Sequence, residues 1–69
     1  MKPSNEDRAS WAQQAVAAFA AAINMEDEPL DTVIGDLLAD LMHLCDNEKL
    51  DFNILLSRAQ MNHIEEKEA

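Results

Sequence analysis

An all-α fold, a three-helix up-down-up bundle completed by dimerisation, is what this sequence predicts. Three observations carry that expectation. The chain has 69 residues with one glycine and two prolines, so its turns are few. Its β-branched residues do not cluster, and no stretch alternates apolar with polar, which removes the strand signal. Apolar residues recur instead at the 3.6-residue period in three segments, each preceded by a residue type that starts helices. The expected elements are helices over about 5–24, 29–45 and 52–65 within a single domain, 1–69.

The first helix opens on Ser4, which follows Pro3 and stands three residues before Asp7. That spacing suits a capping box, with serine and carboxylate exchanging bonds with each other's backbone N–H. The apolar positions Trp11, Ala15, Ala18, Phe19, Ala22 and Ile23 follow the helical period. Alanines fill most of the rest, which raises helix propensity and permits close approach of a neighbouring helix.

Residues 25–28, MEDE, form the first turn. Glu28 is placed to cap the second helix and Pro29 to occupy its first position, where a missing N–H costs nothing. Glu26, Asp27, Glu28 and Asp31 put negative charge near the positive end of the helix dipole. Leu30, Val33, Ile34, Leu37, Leu38, Leu41, Leu44 and Cys45 make one wide apolar face, the expected core. Residues 46–49, DNEK, form the second turn. Asp51 is a good N-cap for the third helix, and Leu50 and Leu55 stand at hydrophobic-staple positions. Phe52, Leu55, Leu56 and Ala59 make an expected buried stripe that extends to Ile64, and the tail EEKEA is expected to fray.

A chain this short is marginal alone and needs a disulfide, a structural metal or a partner subunit. A single cysteine, Cys45, excludes an intrachain disulfide, and no Cys/His cluster has zinc-finger spacing. Cys45 lies on the apolar face, so a buried reduced thiol is expected there rather than a nucleophile. Self-association is the remaining remedy. The second helix is apolar over too wide a face for two neighbours. A symmetric homodimer would cover it and hide Trp11, Phe19, Phe52, Leu55, Leu56 and the leucines of the second helix.

Net charge is -9 and unevenly placed. Residues 1–25 hold two acids and two bases. Residues 26–51 hold nine acids and one lysine, and residues 52–69 hold three acids and two bases. Phosphate backbones would be repelled, so direct nucleic-acid binding is disfavoured and basic proteins or cations are the natural partners. The run AVAAFAAAI is too short to span a bilayer, and no signal peptide is recognisable. A soluble, cytoplasmic protein without membrane contact is expected.

Within GDLLADLMHLCD, residues 35–46, Asp36, Asp40 and His43 are spaced four and three apart and share one face of a helix, with Asp46 near its end. Two carboxylates and an imidazole have the chemistry to hold a divalent cation. The same pattern also describes a docking face, or the wet side of any amphipathic helix. Gly35 and Ala39 add a strip of small side chains where another backbone could approach. The acidic face as a whole, Glu26, Glu28, Asp31, Asp36, Asp40, His43 and Asp46, is the candidate partner-binding surface.

Two resemblances follow from these residues. GDLLADLMHLCDNEKLDFNILLSRAQ is similar to the second half of the MazG-type all-α nucleoside triphosphate pyrophosphatases. Gly35, Asp36, Leu37 and Leu38 fit the family's Glu-Leu-Gly-Asp-Leu-Leu helix, and Arg58 and Ala59 fit its Arg-Ala-Asn ending. That resemblance implies an oligomeric helical enzyme whose carboxylates hold Mg2+ or Mn2+ against a triphosphate. Val33 stands where the family's metal motif has glutamate, and Gln60 where it has asparagine. The first helix offers no Glu-x-x-Glu pair, so only Asp36 remains of the carboxylate set. DLLADLMHLCD, LDF and SRAQMNH also resemble small acidic helical proteins carried by bacterial plasmids and prophages. Asp36, Asp40, His43 and Asp46 match their core, while Asn62 and His63 depart from their ending. This likeness implies a mobile-element setting and no mechanism.

The functional expectation is therefore a small acidic, non-enzymatic regulatory or protein-binding module with no cofactor, presenting an acidic helical face to a basic partner. The alternative is a MazG-like, divalent-metal-dependent nucleotide pyrophosphohydrolase, or a degenerate relative, in which Asp36 and Asp40 hold the metal and His43 acts as acid or base.

Overall fold

A computed structural model describes residues 3–68. The chain is all-α: α1 spans Asn5–Ala22, α2 Leu30–Asn47 and α3 Phe52–Glu68. Helix α1 packs on α2, and α2 packs on α3. Contacts gather into two compact units, Met1–Ala39 and Asp40–Ala69, each a helical hairpin that uses part of α2. The helical class and the number of helices are those the sequence predicts.

In the first unit, α1 starts as its capping residues require. The Ser4 hydroxyl accepts from the Asp7 N–H at 3.0 Å, and the Ser4 N–H donates to Asp7 Oδ2 at 3.1 Å. The helix then stops at an αL residue, Asn24 with φ 58°. The Met25 N–H donates to the Ala20 carbonyl at 2.8 Å, and the Asn24 N–H to the Ala21 carbonyl at 3.4 Å. This pair of bonds is a Schellman motif, which satisfies carbonyls that the helix end would otherwise leave bare.

The buried side of α1 differs from the expected one. Ala20 is buried, and Val16, Phe19 and Ile23 are half-buried, whereas Trp11, Ala15, Ala18 and Ala22 are exposed. Alanine on every side of α1 gives its apolar pattern almost no direction, so the contact is set by α2 instead. A shallow cleft of about 190 Å³ bordered by Val16, Ala20, Met25, Leu30 and Val33 marks where the two helices and their turn meet.

Helix α2 begins one residue later than expected. The Pro29 carbonyl accepts the first helical bond, from the Val33 N–H at 3.1 Å, so Pro29 is the N-cap and Glu28 lies outside the helix. The carboxylate that meets a free backbone N–H is that of Asp31, which accepts from Thr32 at 2.9 Å. At its other end α2 absorbs Asp46 and Asn47, which were expected in the turn.

The second unit repeats the stop signal of the first. Lys49 is αL with φ 58°. The Leu50 N–H donates to the Cys45 carbonyl at 2.8 Å, and the Lys49 N–H to the Asp46 carbonyl at 3.3 Å. Asp51 then caps α3 as expected, one carboxylate oxygen accepting from Asn53 at 2.9 Å and Ile54 at 3.3 Å. The tail expected to fray is helical through Glu68, as its run of good helix formers allows; Ala69 lies outside the described residues.

Among the described residues only Ala20, Val33 and Cys45 are buried apolar groups. The core expected from α2 and α3 is therefore not enclosed by one chain. Leu37 and Phe52 are half-buried, but Leu30, Ile34, Leu38, Leu41, Leu44, Leu55 and Leu56 are exposed. A helix in contact with one neighbour along a narrow line covers only part of a wide apolar face.

Two substitutions test the caps, measured as unfolding midpoints at one fixed protein concentration. Lys49→Gly removes the strain of a side chain in the left-handed region and should stabilise the chain by about 1 kcal/mol. Asp51→Ala leaves two backbone donors without their acceptor and should destabilise it by about 1 kcal/mol. A Lys49→Gly variant less stable than the parent would contradict the assigned turn geometry.

Candidate functional site

Helix α2 carries both the chain's acids and much of its uncovered apolar surface. At 3.6 residues per turn, Asp36, Asp40 and His43 fall along one edge of its apolar face; Asp46, expected near the end of that same row, falls instead with Asp31 beyond the opposite edge. Within the first unit, Leu30, Ile34 and Leu38 are exposed in an i, i+4, i+8 row beside Asp31. Within the second, Leu41 and Leu44 are exposed beside Asp40 and His43. The side chains meant to stay wet and those meant to be covered thus stand next to each other.

Asp36 is half-buried, whereas Asp40, His43 and Asp46 are exposed, as are Glu26 and Glu28 on the preceding turn. Among the described residues no group of three or more His, Cys, Asp or Glu side chains is placed to hold a metal ion. Asp36, Asp40 and His43 share a helix side without converging, and His63 on α3 does not join them into a ligand set. Cys45 is a free, buried thiol, as its place on the apolar face predicts.

Gly35 stands on the polar side of α2. A Cβ added there would meet nothing within 4 Å. No internal packing therefore requires glycine at this position, and in a helix interior glycine costs about 0.5–1 kcal/mol relative to alanine.

The second unit has a further feature that the sequence reading missed. Helix α3 is apolar on two sides. Phe52 and Glu66, its half-buried residues, lie on the side toward α2, with Leu55 and Leu56 flanking them. Ile54 and Met61 lie on the far side, and so does Ile64, which was expected to extend the buried stripe; they are 52%, 58% and 50% exposed. A shallow groove on that far side is lined by Asn53, Ile54, Ser57, Arg58, Met61 and Asn62, with no acid among them. A second hollow, bordered by Met42, Asp46, Lys49, Leu50 and Asp51, lies at the α2–α3 turn and has mixed polarity. The signal for the outer row of α3 was present in the spacing of Ile54, Met61 and Ile64, but the stronger row Phe52, Leu55, Leu56, Ala59 masked it.

Among the described residues no helix is long and apolar enough to cross a membrane. Comparison with protein-family models, with curated proteins and with solved structures finds no match to this chain.

Gly35→Ala is expected to raise stability by about 0.5–1 kcal/mol, read from thermal unfolding. A loss of stability would mean that some contact at Gly35 exists beyond the single chain.

Proposed function

We propose that this chain is a small non-enzymatic interaction module, working as a homodimer, that presents the acidic, apolar-striped surface of α2 to a basic protein. The observation that carries this reading is the joint placement of charge and uncovered apolar surface on α2. Nine of the fourteen acids fall within residues 26–51, and that stretch includes exposed Leu30, Ile34, Leu38, Leu41 and Leu44. A basic amphipathic helix suits such a surface: its apolar row covers the leucines while its lysines or arginines meet Asp31, Asp36, Asp40 and Asp46. Opposite charge steers the encounter, and apolar burial holds the complex. A DNA-binding protein whose basic surface is blocked in this way is one such partner, and a plasmid or prophage setting accords with the resemblance carried by Asp36, Asp40, His43 and Asp46.

The test is titration of the full-length protein with a synthetic amphipathic helix of lysine and leucine, at low and high salt. Binding should weaken steeply with salt, and Asp36→Lys together with Asp40→Lys should slow association about tenfold or more. Absence of binding at low salt, or binding indifferent to both salt and the charge reversals, would overturn the reading.

The shared helix side of Asp36, Asp40 and His43 supports a second reading, a reduced MazG-like nucleotide pyrophosphohydrolase using Mg2+ or Mn2+. Calorimetric titration with both metals and a nucleoside triphosphate hydrolysis panel separate the two. Metal binding lost in Asp36→Asn, with release of pyrophosphate, would favour the enzyme; no heat at millimolar metal would remove it.

A further inference from the structure

We infer that the turn between α2 and α3 is a hinge, and that two copies of this chain open it and exchange their third helices. Each α3 then covers the α2 of the other copy with the contacts it makes in the closed hairpin. The inference rests on the homodimer part of the preceding proposal and deepens it by naming how the two copies hold each other. Three observations within the second unit carry it.

The first is the turn itself. Residues 48–51 read Glu-Lys-Leu-Asp, and from Leu30 to Glu68 the chain has no proline and one glycine, Gly35. No residue in the turn forbids a helix. The helix stops because Lys49 takes φ 58°, a region costly for any residue without glycine's freedom. The first turn differs. Its left-handed residue is Asn24, a type that tolerates the region, and Pro29 would break a helix drawn through it. Short connections under strain are where identical chains exchange elements. The second turn combines that strain with a sequence that can be helical throughout.

The second is phase. Leu41 and Phe52, Leu44 and Leu55, and Cys45 and Leu56 are each eleven residues apart, close to three turns of helix. A helix drawn straight through the turn therefore keeps the apolar sides of α2 and α3 on one line. Straightening also joins two helix ends, so backbone groups now held by the Lys49 stop and the Asp51 cap become ordinary helical bonds. Glu48 is the charged residue nearest the middle of that line between Leu41 and Ala59, and salt screens its repulsion between copies.

The third is the identity of the cover. In the closed hairpin α3 packs on α2, Cys45 is buried, and Phe52 and Glu66 are half-buried. Opening the turn bares that side of α2 and that side of α3 together. Each is the surface already matched to the other, so a second opened copy supplies the cover, and the exchange closes as a symmetric pair. Leu41, Leu44, Leu55 and Leu56, exposed in the closed chain, lie on the same line, so two straightened helices side by side cover more of them.

The hinge can be pushed in both directions. Sedimentation equilibrium of the full-length protein at high salt, over a wide concentration range, is the measurement, with circular dichroism to follow helix content. The wild type should form a two-chain species. Lys49→Gly steadies the closed turn and penalises the straight helix in both copies, so it should weaken that species about a hundredfold or more. Lys49→Val makes the left-handed region costlier and should tighten it about tenfold. Gly-Ser-Gly inserted between Leu50 and Asp51 keeps both sets of closing bonds and interrupts only the straight helix, so it should leave a helical monomer. A wild type that stays monomeric throughout would overturn both this inference and the homodimer reading. A wild-type dimer whose affinity neither Lys49→Gly nor the insertion changes by more than about twofold would overturn this inference and leave the homodimer standing. If Lys49→Val does not fold, the responses to Lys49→Gly and to the insertion decide.

Discussion

Two helices in contact can cover only one side of each other, and this limit governs the whole chain. Each hairpin encloses very little: Ala20 and Val33 in the first unit, Cys45 in the second. The hydrophobic term available from burial is correspondingly small, while the entropy cost of fixing some seventy backbones is not, at about 1–2 kcal/mol per residue. Caps and turns then hold a larger share of the structure than they do in a protein with a full core.

The helix ends show this. The two stops are built alike, each with a residue in the left-handed region and a pair of N–H donors returned to the last turn. In each, the residue whose carbonyl receives the longer-range bond, Ala20 or Cys45, is itself buried. The backbone closure and the small apolar contact thus reinforce each other at the same place. At the helix starts, Ser4 with Asp7 and Asp51 with Asn53 and Ile54 do the same with side-chain oxygens.

These local features were largely legible in the sequence. Ser4, Asp7 and Asp51 act through bonds to residues at most three positions away, so their spacing is sufficient to place them. Lys49 was not legible as an αL residue, because a lysine carries no signal for that region; Asn24, a residue type that tolerates it, was read as the last residue of the helix rather than as its stop. The buried side of α1 was misread toward Trp11 because a run of alanines has no preferred face. On α2 the apolar set was read correctly, but periodicity reports which residues share a side, not whether anything covers that side. The same blindness hid the outer row of α3, where two apolar faces on one helix blur into each other. Asp36, Asp40 and His43 were correctly placed on one side of α2; that they do not converge on a metal-sized site depends on geometry that spacing alone leaves open.

What the chain leaves uncovered divides by chemistry. On α2 the exposed leucines stand beside carboxylates; on α3 the exposed Ile54 and Met61 stand beside amides and Arg58, while Ile64 stands beside Glu65 and Glu68. The most direct measurement of the underlying claim, that the folded state draws part of its stability from a partner chain, is the thermal midpoint of the wild type across a hundredfold or larger range of protein concentration. The account predicts a midpoint that climbs steadily with concentration, as mass action requires when folding and association are coupled. A midpoint that holds constant, with a mass of one chain throughout, would contradict it.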